Sequence, residues 1–173
     1  MKSPIIKQVL TEVDLHYGII DMPKGFEIDS NQLIKDTLNH KIYSKEFPFS
    51  KTLDMLHTYL REHIALEHQF TLVGKTTTAD YYKPGEDSVS MLQLDPVDLR
   101  NAPDYVMLYG IDVAKDSCTV VIDYDDNRRK GRSWEIKLNK NNFIMFPSTQ
   151  RYYIKPNTSD KLNFVLTSTY EFI

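Results

Sequence analysis

The chain has 173 residues, the size of one domain with a core of its own. It is 41% hydrophobic and 12% aromatic, which excludes an intrinsically disordered chain. Its 21 basic and 24 acidic residues leave a net charge of −3, which gives no global pull toward nucleic acid or an anionic membrane.

No run approaches the ~18 apolar residues of a membrane span. Met1-Lys2-Ser3-Pro4 is not followed by the apolar stretch of a signal peptide, so a reducing, cytoplasmic setting is the expectation. The single cysteine, Cys118, excludes an internal disulfide and, lying in an apolar strand, reads as a small core residue rather than a nucleophile. Residues 5–20 read as an extended lead in which Ile5, Val9, Val13, Leu15 and Ile19 are apolar at no fixed period, closed by turn chemistry at Asp21-Met22-Pro23-Lys24-Gly25. Asp29 or Ser30 can cap a short helix running to Leu38, because their side-chain oxygens accept the orphan N–H groups of a first turn. In Thr52–Leu66 the residues Leu53, Leu56, Tyr59, Leu60 and Ile64 make one apolar stripe, so this second helix needs a surface to cover, and the later sheet supplies it.

Gly74 to Gly85 reads as a seam between a helical lead-in, residues 1–74, and a strand-rich core, residues 75–173, within one domain. Ser88–Asp95 reads as a strand with Val89, Met91 and Gln93 on one face, ended by Asp95-Pro96. From Pro103 onward six strands follow without a helix between them: Tyr105–Asp112, Ser117–Tyr124, Arg132–Leu138, Asn142–Phe146, Gln150–Lys155 and Lys161–Phe172. In the last, Leu162, Phe164, Leu166, Tyr170 and Phe172 form the buried face, and Lys161, Asn163, Thr167, Thr169 and Glu171 the wetter one. Such a series is an antiparallel sandwich or barrel, and with the helices the fold class is α+β, mainly β. Arg128, Arg129, Lys130 and Arg132 at the hairpin tip invite a phosphate-binding reading, but Asp123, Asp125 and Asp126 offset them and a solvated tip is the better one. His57, His63 and His68 are six and five apart, which stacks no two imidazoles on one helix face. No glycine-rich phosphate loop is present.

Three stretches then resemble a known family. Tyr105-Val106-Met107-Leu108-Tyr109-Gly110-Ile111 is similar to the strand that follows a metal-binding His-x-Asp pair. Asn142-Phe143-Ile144-Met145-Phe146-Pro147-Ser148 resembles a strand ending in Phe-Pro-Ser. Tyr152-Tyr153-Ile154-Lys155-Pro156-Asn157-Thr158-Ser159 is similar to a His-x-Val-x-Pro-Asn-Thr-Ser segment. Together, over Tyr81–Phe172, they resemble the double-stranded β-helix (jelly roll) of the 2-oxoglutarate/Fe(II) oxygenases, in particular their small phage-associated forms. The resemblance implies a jelly roll with the N-terminal helices packed on one sheet. In an active member it also implies Fe(II) held by two histidines and a carboxylate, with 2-oxoglutarate as co-substrate.

This sequence departs from that pattern at the ligands. The His-x-Asp slot falls on Gln93-Leu94-Asp95, where only Asp95 is of ligand type. The distal histidine slot holds Tyr152, no histidine follows His68, and the basic residue for the co-substrate falls near Lys161. The resemblance therefore implies a roll whose mouth presents Gln93, Asp95, Tyr109, Tyr152 and Lys161, with no catalytic residue and no cofactor expected. Such a module would bind a small molecule or a protein segment, in a host cell or a virion, and a homo-oligomer is compatible with it. The competing readings are an active Fe(II)/2-oxoglutarate hydroxylase using Asp95 with other ligands, and a viral structural or assembly protein.

Overall fold

The computed structural model describes residues 13–20, 22–69, 71–125 and 132–173. The element order is β1 (His16–Ile19), α1 (Ser30–Tyr43), α2 (Lys51–His68), β2 (Leu72–Tyr82), β3 (Tyr105–Asp112), β4 (Thr119–Asp125), β5 (Arg132–Lys137), β6 (Asn142–Pro147), β7 (Arg151–Ile154) and β8 (Asn163–Phe172). A five-stranded sheet runs β1-β6-β3-β8-β2 and a three-stranded sheet β5-β4-β7, with every pairing antiparallel. Among the described residues no helix is long and apolar enough to cross a membrane.

Both helices begin as their caps dictate. The Asp29 carboxylate accepts from the Gln32 amide at 3.0 Å, and the Ser50 hydroxyl accepts from the Leu53 amide at 3.3 Å. The Asp29 amide donates to Thr52 Oγ1 at 2.8 Å, which ties the two helix starts together. The stripe Leu53, Leu56, Leu60 and Ile64 is buried against the large sheet, where Leu72, Ala79, Met107, Tyr109, Ile111, Phe143, Met145, Phe164, Leu166 and Tyr170 complete one core. Each such leucine contributes about 2 kcal/mol by leaving water. A second core lies between the sheets, built from Tyr82, Val106, Leu108, Cys118, Val120, Ile122, Leu138, Ile144, Phe146, Tyr152, Ile154 and Val165. The expected jelly roll with helices on one sheet is therefore the fold.

The extended lead holds where it is described: it carries β1, which joins the large sheet beside β6, so the roll takes strands from both sides of the helices. Three other sequence readings need correction. The seam at 74–85 is strand: β2 runs through Gly74 and the three threonines and pairs with β8 on both sides of a bulge between Gly74 and Thr76. Ser88–Asp95 makes only one bridge, Met91 to Tyr152, and Val89 is exposed. The two-faced reading of the last strand fails because β8 is internal to the large sheet, with helices over one face and the small sheet over the other. Asn163, Val165, Ser168 and Thr169 are accordingly as buried as Phe164 and Leu166. The basic hairpin tip, Arg128 to Lys130, lies outside the described residues.

Candidate functional site

Strand register decides which side chains reach the roll interior. Directly paired residues share a face, so the pairs Trp134–Ile122 and Ile122–Tyr152 form one inward row across β5, β4 and β7. In the large sheet the matching row is Tyr17, Ile144, Leu108 and Thr167 across β1, β6, β3 and β8. Between the rows lies Tyr152, fully buried, with the Phe146 ring edge-on at 5.2 Å. Gln93, half-buried on the segment before β3, donates its side-chain amide to the Tyr152 hydroxyl at 3.1 Å. The backbone of Met91 exchanges two hydrogen bonds with Tyr152, of 2.8 and 3.0 Å, and this pair of bonds fixes the Gln93 segment beside β7. Burial pushes the Tyr152 phenol above the ordinary tyrosine range, and its hydrogen bonds with Gln93 and Thr167 offset only part of that rise.

Gln93 and Tyr152 are thus brought together, and the other expected pocket residues are not. Asp95 is exposed, and its carboxylate accepts from the Val97 amide at 2.8 Å in a local turn. Tyr109 lies on the opposite face of β3: parity turns Val106 and Leu108 inward and Met107 and Tyr109 toward the helices, where the Tyr109 hydroxyl donates to Asn141 Oδ1 at 2.9 Å. Lys161 is exposed on the turn before β8. Cys118 is buried between the sheets, and desolvation pushes its thiol up to about 12, the state of an inert core residue. Among the described residues no group of three or more His, Cys, Asp or Glu side chains lies close enough to hold a metal ion.

Beside Phe146 the roll opens. β1 is the last strand of the large sheet and β5 the last of the small one. A cavity of about 450 Å³ between them is lined by Val13, Asp14, Leu15, Tyr17, Ile122, Trp134 and Phe146. Tyr17 and Trp134 face inward by register yet are 62% and 52% exposed, because the sheets end there and nothing among the described residues covers their rings. Sequence reading gave no sign that the strand face carrying Trp134 is open, and it missed Leu15 and Tyr17 as site residues because the pairing of β1 with a strand more than 120 residues later leaves no local signal.

No family model and no curated protein matches the sequence. Solved structures do match in shape. The non-heme alpha ketoglutarate dependent epimerase SnoN from nogalamycin biosynthesis is 7% identical, with 90% of this chain and 76% of that one covered and a TM-score of 0.64. A prolyl-4-hydroxylase from Pseudomonas putida is 12% identical over 91% of this chain and 87% of that one, TM-score 0.62. The viral collagen prolyl hydroxylase of Paramecium bursaria Chlorella virus-1, in its 2OG complex, is 12% identical over 90% and 94%, TM-score 0.62. At these identities the likeness is one of fold, a double-stranded β-helix like that of the 2-oxoglutarate/Fe(II) oxygenases.

Proposed function

We propose that this chain is an oxygenase-like double-stranded β-helix that binds a ligand at its mouth without iron, and that it is not a hydroxylase. The observation that carries the reading is the 3.1 Å hydrogen bond from Gln93 to Tyr152, which joins the two residues standing where the family resemblance calls for histidines. The donor set does not fit ferrous iron. An amide is a weak ligand beside an imidazole, and a phenol pushed above its ordinary range stays neutral and binds a divalent ion poorly. The one carboxylate of the expected triad, Asp95, is engaged with a backbone amide in solvent. SnoN is known with Fe3+ and alpha ketoglutarate bound; in this chain the same walls enclose an aromatic and aliphatic filling, and the open apolar slot beside it is the feature suited to a ligand.

The test is calorimetry with Fe(II) under anaerobic conditions and with Mn(II). The expected outcome is no stoichiometric binding; tight one-to-one binding abolished by Asp95→Ala would instead establish an active site with unusual ligands. Replacing both Gln93→His and Tyr152→His should raise metal affinity, because the two positions already touch.

A further inference from the structure

Among the described residues Asp36 is the only buried carboxylate, 4% exposed. Gln32 donates to its Oδ1 at 2.7 Å, and its Oδ2 has no hydrogen-bond partner among the described residues. A carboxylate oxygen held out of water without a donor costs free energy, and nothing in the packing of the helices offsets that cost. The residue lines a cavity of about 360 Å³. Asp36, Asn39, His40 and Tyr43 border it from α1, at the spacing of one helix face. Opposite them runs the link between the helices. Ser44 ends α1 in a left-handed conformation, φ 49°, and beyond this reversal Lys45 and Glu46 form the second wall. His40 holds that wall in place: its Nδ1 donates to the Lys45 carbonyl, and its ring meets the Phe47 ring edge-on at 5.7 Å, where Phe47 packs against the helix-side core. The cavity shares no lining residue with the mouth.

The chemistry of the walls selects the occupant. An anion would face two carboxylates, Asp36 and Glu46. A divalent metal lacks ligands, since among the described residues no three His, Cys, Asp or Glu side chains lie close enough to hold one. A guanidinium fork takes both oxygens of a carboxylate, and Gln32 already holds one of them. A quaternary ammonium has no N–H to give. A primary ammonium has three, and the walls carry three side chains with acceptor oxygens, Asp36, Asn39 and Glu46, with Tyr43 beside them for an alkyl stem. One ammonium of the protein itself, Lys45 Nζ, stands 5.7 Å from the Tyr43 ring centroid and leaves Asp36 Oδ2 without a donor. From this juxtaposition, an orphaned buried carboxylate oxygen at a cavity walled by two further acceptors, we infer a binding site for the primary ammonium group of a small free alkylamine, between α1 and the link to α2. The site lies outside the mouth and goes beyond the reading of it.

n-Butylammonium is titrated against the intact 15N-labelled protein, with backbone amide shifts as the readout. Saturable shifts confined to residues 36–48 are expected. Tetramethylammonium, which cannot donate, and n-butylguanidinium, which needs two open oxygens, should each bind at least about tenfold more weakly. Asp36→Asn should weaken n-butylammonium at least about tenfold, and Glu46→Gln, at an exposed side chain, about threefold with no change in the thermal melt. The second variant keeps the test open should the first misfold. Tetramethylammonium bound as tightly as n-butylammonium, or shifts scattered over the surface, reduces the effect to general charge attraction and overturns the site. So does unchanged affinity in folded Asp36→Asn. Binding that appears only in Lys45→Gln would make Lys45 the resident partner of Asp36, and no saturable shift at all would leave the oxygen to water; either overturns the site. Blocked lysine, Nα-acetyl-lysine methylamide, bound more than about tenfold tighter than n-butylammonium overturns the free-molecule assignment.

Discussion

His57 lies where α2 crosses the large sheet, with its Nδ1 against the Tyr170 hydroxyl and its Nε2 3.3 Å from Thr77 Oγ1. With Tyr170 as donor to Nδ1, the Nε2–H is left for Thr77, and both contacts belong to the neutral ring. Burial is the largest cause holding the imidazole down at about 4; the Arg61 charge adds to it and Asp54 opposes it. The unfolded chain binds this proton near 6.5 and the folded chain only near 4, so stability is full above pH 6.5 and falls as the pH drops through that window. The loss is on the order of 3 kcal/mol. Urea unfolding at pH 7 and pH 4.5 should show it, and His57→Gln, which keeps a hydrogen-bonding head without titrating, should flatten the difference; an unchanged slope would remove His57 as its source. Asn157 carries a different load. Its Nδ2 donates to the carbonyls of Tyr82 and Lys161 at 3.0 and 2.7 Å, and its Oδ1 accepts from the Ser159 amide and hydroxyl at 2.9 and 2.8 Å. Asn157→Ala leaves buried acceptors without partners and should cost about 3 kcal/mol in chemical denaturation. That role also explains why the Pro-Asn-Thr-Ser segment was legible in the sequence. The motif is a backbone clasp between the end of β2 and the start of β8, and a clasp survives whether or not the site beside it holds a metal.

Among the elements, legibility followed how local each signal is. The bounds of β3 and the capped start of the first helix were readable, because alternation and capping are set by neighbours in the chain. Which face of a strand is buried was readable only where a single layer covers it. For β8, sandwiched between two layers, and for Tyr109, placed on the mouth when it packs beneath the helices, parity alone could not tell helix side from roll interior. The stretch from Gly74 was read as a seam because a glycine and a run of polar threonines carry no clear alternation, and β2 itself shifts register at a bulge between Gly74 and Thr76 before pairing on with β8. One position on β3 makes the packing of elements testable. At Gly110 an added Cβ would stand 2.2 Å from the Asn139 carbonyl oxygen, where the turn leading into β6 crosses the strand, and the Asn141 amide donates to the Gly110 carbonyl at 2.8 Å. The obstruction is backbone and cannot rotate away. Gly110→Ala should therefore destabilise the fold by about 2 kcal/mol or more, seen as a lowered denaturation midpoint with an unchanged slope; a neutral result would mean that the turn yields freely.

At the scale of the molecule, the large sheet is a shared wall. One of its faces carries the helix stripe and the other closes the roll, and β3, β6 and β8 contribute side chains to both cores. The chain also crosses between the layers twice, since β1 precedes the helices and pairs with β6, while β2 follows them and pairs with β8. A division into a helical lead-in and a separate strand core would predict two steps on unfolding. The shared wall predicts one, because stripping the helices exposes Met107, Tyr109, Leu166 and Tyr170 on strands whose opposite faces hold the roll together. Helical ellipticity and Trp134 emission sample the two layers separately, as Trp134 stands on β5 of the small sheet, away from the helices. Their urea transitions should coincide in midpoint and slope. Loss of ellipticity ahead of the Trp134 signal would show that the roll stands without its helices, and the mouth, built from β1, β5 and β6, would then be testable as a unit apart from the helical layer.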